Sequence, residues 1–511
     1  MHRGRIARFS ICGLILLSPL HAAAAPAADN PAAQIVRDLA LVDAITWGVN
    51  PSTMAAYHTL GREKWLQTQL HPASDALPAA VRAQIEALPV SQKSAFDLAT
   101  DFDAQGRTAN QTADPDQKAI AQKAFQDGMS DMARQAATAS LLRALYSPDQ
   151  LRERMTWFWF NHFNVHQYKA NLRILLGDYE NKAIRAHALG RFHDLLDATL
   201  RHPAMIRYLD NADNAVGHIN ENYAREIMEL HTMGVGSGYT QKDVEELARI
   251  LTGVGIDLKP DNPKLKPDLQ PLLVRDGLFE FNPARHDFGD KVFLGRTIKG
   301  RGFAEVEEAL DILCKQPATA QHVSRQLATY FVADVPPPAL VDRMAQTFMR
   351  TDGNIASVLD TLFHSPEFTA SLGGHFKDPV RYVLSAIRLA YDTKVIVNSA
   401  PVQNWLNRLA EGLYNHQTPD GYSMMSTAWN GSGAMMTRFE IAHQIGSNSA
   451  GLFKAATPDA VDQPAFPLIE NGLYFSSLHL KLSAPTQTAL DKAISPQDWN
   501  TLFLSSPEFM Q

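Results

Sequence analysis

Trp157-Phe158-Trp159-Phe160-Asn161-His162-Phe163-Asn164-Val165-His166 decides how this chain folds. Ser147-Pro148 stops the helix before it and opens the next, with Pro in the first turn where its missing N–H costs nothing. The spacing predicts a helix over 149–166. Bulky apolar groups surround it on all sides, the pattern of a helix buried at the centre of a fold. Its polar residues must then find partners, because a buried polar group left alone costs roughly 1–3 kcal/mol. His162 and His166 are four apart, a spacing that also suits a metal pair. The intervening Glu of the zinc-protease helix is absent, so no metal is assigned. His162 is read instead as part of a buried polar cluster beside a cleft, with Asn161 and Trp159 next to it.

Helical periodicity continues on both sides. Upstream it covers 31–47, a Ser52-capped stretch to Leu70, 75–88, and a long Ala- and Gln-rich helix over 114–146; the polar segment 91–110 is left unassigned. Downstream, helices are expected over 183–200, 203–209, 302–315, 317–332, 337–350 and 355–363, with two more after Asp378-Pro379. Thr240 reads as an N-cap with Asp243 at the third position, opening a helix to Thr252-Gly253. Phe279-Glu280-Phe281 and Lys291-Val292-Phe293-Leu294 alternate briefly and predict one small β-hairpin around a polar loop containing His286 and Asp287. Residues 258–275 are rich in Pro and Lys and read as an exposed insertion. The fold class is therefore mainly α: many short helices packed around a buried aromatic helix. Residues 25–511 read as a single large helical unit, within which the helices and loops of 396–511 can form a subdomain.

Arg3, Arg5 and Arg8 precede an apolar run from Ile11 to Leu20 and then four alanines, which predicts a signal peptide over 1–24. That run is too short to span a membrane, and no later stretch is longer. The expectation is an exported protein, periplasmic or extracellular. Without the leader the chain carries 44 basic and 54 acidic side chains and no basic block, a poor match to nucleic acid. Cys314 alone then remains, in an apolar helical turn that suits burial better than nucleophilic chemistry.

Chemistry concentrates in Asn220-Glu221-Asn222-Tyr223-Ala224-Arg225-Glu226-Ile227-Met228-Glu229-Leu230-His231. On a helix, Glu221, Asn222, Arg225, Glu226 and Glu229 fall within an arc of about 140°. Such a face is either a solvated surface laced by pairs four apart or a set of paired carboxylates held beside a cation.

Several motifs resemble one large group of exported bacterial proteins that carry a domain of unknown function, number eighteen hundred. They are Trp159-Phe160-Asn161-His162-Phe163, Arg201-His202-Pro203-Ala204-Met205, Tyr208-Leu209-Asp210-Asn211, Asn220 to Glu226, Leu251-Thr252-Gly253, His286-Asp287 and Lys291-Val292-Phe293-Leu294-Gly295. The resemblance runs from about Leu39 to Gly446. The chain departs from it at Phe160, where the group usually has His, and at Val254, where it usually has Trp. The resemblance implies no activity. It does imply a neighbour, since the group often accompanies an exported sulfatase- or phosphatase-like protein.

Two functions follow as expectations. The first is a hydrolase or lyase acting on a glycan substrate, which needs an acid and a base or nucleophile. Its catalytic candidates are Glu221, Glu226, His162 and Asp287. Its substrate-binding candidates are Asn161, Asn222, Arg225, Glu229, Trp159, His286, Lys291 and Trp429, with Tyr223 as a further stacking surface. No cofactor is assigned. The second is a non-catalytic binding or assembly protein whose polar cluster fixes helix packing. The leader makes its own prediction: N-terminal sequencing of periplasmic material should begin within a few residues of Ala25, and a soluble cytoplasmic pool starting at Met1 contradicts it.

Overall fold

The aromatic helix is Gln150–His162, and eleven of its residues are buried. In the computed structural model, which describes residues 31–73, 76–454 and 465–511, it lies inside a hydrophobic cluster that runs from Leu39 to Met510. With no solvent at hand, its polar side chains reach outward to distant parts of the chain. Gln150 accepts from Trp47 N at 3.2 Å and donates to Ser147 O at 2.7 Å. Glu153 receives the Arg185 guanidinium at 2.7 Å. Arg154 donates to Thr46 O and lies over the Tyr330 ring, 4.8 Å from its centroid. Trp159 donates its indole N–H to Ala188 O at 2.9 Å.

The helix stops at His162, four residues short of the expected end. Asn164 turns its amide onto Thr418 O at 2.7 Å and His416 O at 3.1 Å, so side-chain bonds to a distant loop replace the next helical turn. Upstream, the expected 52–70 helix is two helices, Pro51–Leu60 and Arg62–Leu70, parted by Gly61 at φ 76°. Their cap is Asn50, which accepts from Thr53 N, while Ser52 bonds Asp392 at 2.8 Å. The polar 91–110 segment forms Ala95–Gln111, capped by Ser94, and packs on the 32-residue helix Pro115–Tyr146. The expected 183–200 helix begins as a π-turn at Tyr179–Ile184, breaks, and resumes as Phe192–Arg201. At the break Phe192 N donates to Gly353 O and Gly190 O accepts from Ile355 N, so the chain pairs with a distant loop there.

Helix dominates the described residues, and strand is confined to five three-residue segments. The predicted hairpin is corrected: Phe279–Phe281 and Lys291–Phe293 do not pair with each other. Phe279–Phe281 is the middle of a three-stranded antiparallel sheet between Val254–Ile256 and Val274–Asp276, with Val254 and Val274 both opposite Phe281. Lys291–Phe293 pairs with Arg296–Ile298 across Leu294-Gly295. Both turn residues have positive φ, 47° and 75°, the two-residue turn whose twist matches a hairpin. Four helices follow as expected, Phe303–Cys314, Pro317–Phe331, Pro338–Arg350 and Ile355–Phe363. Cys314 is buried and its thiol is pushed up by that burial. The leader and residues 455–464 of the tail lie outside the described residues.

Trp159 has no exposed surface. Trp159→Ala should therefore cost roughly 3–5 kcal/mol in a urea titration, the usual cost of truncating a large core side chain, and a loss under about 1 kcal/mol would place it elsewhere.

Candidate functional site

The Glu-bearing segment begins in a knot of asparagines. Asn214 and Asn211 are fully buried and donate to Ala248 O and Val254 O; Asn214 Oδ1 accepts from Asn220 N, and Asn220 Oδ1 accepts from Asn222 N. From there Asn222–Glu226 is α-helical, and Ile227–His231 widens into a π-turn. Thr232 closes it by donating to Ile227 O, and the chain leaves through Gly234 at φ 88°. A side chain at Gly234 would meet His322 Nδ1 at 2.8 Å, so the exit requires glycine on both counts.

Arg225 is the hinge of the charged face. Its guanidinium bonds Glu221 at 3.0 Å, Glu229 at 3.4 Å and Gln241 at 2.9 Å, and Gln241 donates in turn to Glu221 at 2.8 Å. Glu226 differs from both neighbours. It is half-buried, and among the described residues no group hydrogen-bonds its carboxylate. Burial, followed by the nearby Glu229, raises its pKa above the usual carboxylate range; Arg225 opposes this and Asp420 adds to it. Tyr208 lies close enough for its hydroxyl to be shifted up by burial and then by Glu226 and Asp420. Tyr239 is pushed up to about 12 by burial and by the adjoining Glu229. A carboxyl whose pKa is raised, near two other acids and a cation, is better suited than an ordinary carboxylate to donate a proton to a bound oxygen.

The remaining sequence candidates divide between the core and a second ionic group. His162 is buried, with Nδ1 on Gln326 at 3.0 Å and Nε2 on His231 O at 3.0 Å; burial and neighbouring His322 hold its pKa down to about 4. It is a neutral strut between the central helix and the π-turn. Asn161 exchanges two hydrogen bonds with the Tyr422 backbone, at 2.9 and 2.6 Å. Trp159 and Tyr223 are sealed, and Trp429 is buried with its indole on Ser423 O. Asn222 donates to Leu209 O. Of these side chains only Asn222 is exposed.

His286 and Lys291 converge on Glu305, and all three side chains are fully buried. His286 Nε2 lies 2.9 Å from Glu305 Oε1, its Nδ1 faces Thr252 O at 2.8 Å, and Lys291 bonds the other carboxylate oxygen. Glu305 also caps Gly302 N at 2.9 Å. Asp287 is clamped by Arg249 at 2.9 and 3.2 Å. Gln241, which touches Glu221, and Arg249 sit at opposite ends of helix Gln241–Ile250, about 12 Å apart at 1.5 Å per residue. Asp287, His286 and Lys291 therefore form a clamp apart from the carboxylate face.

Asp420 and Tyr208 went unflagged in the sequence. Asp420 lies in the 419–433 loop and reaches Glu226 through tertiary folding alone. Tyr208 sits in a stretch that the sequence offered, but it reads there as an ordinary helix end. Among the described residues, no group of three His, Cys, Asp or Glu is placed to hold a metal. No helix among them is long and apolar enough to cross a membrane.

The asparagine knot, the buried His162 and the His286–Lys291–Glu305 clamp are built from the stretches that carried the resemblance, and the family match extends over residues 40–511. The chain belongs to the family described as Protein of unknown function (DUF1800). Comparison with curated proteins and with solved structures gave no match.

The clamp has a defined pH signature. Burial raises the Glu305 carboxyl, but the hydrogen bonds from His286 and Lys291 outweigh it and hold the pKa below its ordinary 4.5. A lowered folded pKa contributes stability above the unfolded value and loses it as pH falls through the folded one. Glu305→Gln should therefore flatten the acid limb of the stability curve. At neutral pH it should also cost about 3–5 kcal/mol, because Lys291 is left buried without its counter-charge. An unchanged neutral melt and acid limb would contradict the clamp.

Proposed function

We propose that this family member is an exported hydrolase or lyase acting on a glycan, with Glu226 as its general acid. The observation that carries this reading is Glu226 itself: half-buried, free of protein hydrogen bonds among the described residues, and raised in pKa. Burial raises Glu180, Glu280 and Glu411 as well, but each accepts a hydrogen bond from the protein, from Tyr414, Asn282 and Val380 N respectively. Glu153 and Glu305 are buried and tied to cations. Asp420, in the exposed loop facing Glu226, is the second carboxylate on this reading, the base or nucleophile that glycosidic cleavage needs. Glu221 and Glu229 flank Arg225 and fix its position. Export rests on the leader, and glycan as substrate rests on location together with the acid chemistry.

The alternative, a binding or assembly protein, draws on a different observation. His162, His286 and Lys291 are buried and bonded within the protein, as a packing network requires. A sulfatase- or phosphatase-like exported neighbour is the partner proposed for either reading.

Glu226→Gln separates the two. As a general acid, Glu226 can be replaced without loss of stability, so the melting temperature should hold or rise while glycan cleavage falls by orders of magnitude. A strongly lowered melting temperature would mark Glu226 as a structural partner of Arg225 and end the catalytic assignment.

A further inference from the structure

A second cleft opens on the other side of the turn that carries Tyr208. It has a volume of about 330 Å³ and is lined by Arg207, Asp103, Asp213, Asn171, Phe102 and Phe125 among others. That size suits one small molecule, since ligand clefts run from roughly 300 to 1,000 Å³. Arg207 is partly buried on helix Pro203–Tyr208, and among the described residues nothing hydrogen-bonds its guanidinium or pairs with it within 4 Å. Burial opposes its charge, and Asp103 is the opposing charge that it feels. Of the acids that line the cleft, Asp103 is bound by Arg107 and Asp210 by Lys169 at 2.8 Å, while Asp213 is exposed and in no ion pair among the described residues. The Arg207 guanidinium thus lines the cleft with no carboxylate within 4 Å among the described residues, free to meet an anionic group.

The rest of the wall has a matching chemistry. Phe102 and Phe125 lie 6.2 Å apart and offer ring surface. Asp213 and the Asn171 amide are exposed and supply hydrogen-bond acceptors for hydroxyl groups. Ala170, Asn171 and Asp210 all hold positive φ, at 47°, 59° and 61°, so the rim is built from backbone conformations that L-residues seldom adopt. A planar, doubly donating guanidinium matches the two oxygens of a carboxylate.

We propose that this cleft binds a sugar acid, its carboxylate on Arg207, its hydroxyls on Asp213 and Asn171, and its ring against Phe102 and Phe125. The assignment stands whether or not Glu226 is catalytic, because it concerns binding alone. Should both hold, the cleft places a uronate next to the turn whose other face, through Tyr208, adjoins Glu226.

Isothermal titration of the full chain with glucuronate tests it, with glucose as the uncharged counterpart and acetate as the bare carboxylate. Glucuronate should bind saturably and at least about tenfold tighter than either control. Arg207→Gln should weaken glucuronate roughly 10- to 100-fold, the loss of a charged hydrogen-bonded pair, and leave glucose unchanged. Absence of saturable glucuronate binding, affinity no better than acetate, or equal affinity in wild type and Arg207→Gln would each overturn the site. Phenylglyoxal labelling of the unmodified protein gives a reading that does not depend on the variant folding. Arg207 should react in the free chain and be protected by glucuronate, and equal labelling with and without it would overturn the proposal.

Discussion

A helix buried on every side cannot send its polar side chains to water, and the architecture of this protein follows from where they go instead. Gln150 ties the Gln150–His162 helix to Trp47 and to the end of the long helix at Ser147. Glu153 ties it to Arg185, Trp159 to Ala188, Asn161 to Tyr422, and His162 to Gln326 and His231. Leaving any one of these buried groups without its partner costs about 1–3 kcal/mol, more where it is charged. The helix therefore fixes elements scattered from residue 47 to residue 422 in one arrangement. The carboxylate face is placed by the same device, because the π-turn that follows Glu226 ends on His231, whose carbonyl accepts from His162 Nε2.

The π-turn also explains why Glu226 stands apart from Glu221 and Glu229. In an α-helix Arg225 meets residues four before and four after it, and both of those glutamates are engaged in that way. Glu226 is the last α-helical residue before the winding widens; it feels the charges of Glu229, Arg225 and Asp420, lies near Tyr208, and pairs with none of them. Single π-turns of this kind recur at functional sites because they re-aim a side chain without ending the helix. The buried His286–Lys291–Glu305 clamp plays the opposite role. It uses charge to hold helix Phe303–Cys314 to the Lys291–Phe293 hairpin and has no open coordination left for a ligand.

Much of this was legible in the sequence where local chemistry is decisive. Thr240 with Asp243 forms the expected capping box, and Pro317, Pro338 and Pro379 each open a helix in the first turn. The aromatic run of 157–163 announced the central helix because no surface helix tolerates Trp, Phe, Trp, Phe in succession. Other features depend on contacts far along the chain and left no local mark. The partner of Phe279–Phe281 is Val254–Ile256, a stretch just past the expected helix end at Thr252-Gly253 with no strand pattern of its own. Asn164 ends the central helix only because the 416–418 loop is there to meet it. Site residues divided by the same rule. The Arg225–Glu221 and Arg225–Glu229 pairs follow from spacing alone, whereas Asp420 and the burial of Lys291 follow from tertiary packing. A lysine in a short alternating stretch reads as exposed until Glu305 and His286 are known to enclose it.

One carboxyl with a raised pKa stands beside neighbours on the same segment that are tied to a guanidinium. A carbon-13 titration of side-chain carboxylates in glutamate-labelled protein, with the Glu226 resonance assigned by its loss in Glu226→Gln, measures this directly. The account predicts a Glu226 midpoint above the ordinary glutamate value of about 4.3, shifting lower when Asp420 is replaced by Asn. A midpoint at or below that value would show Glu226 to be one more ion-paired surface carboxylate and would contradict the assignment.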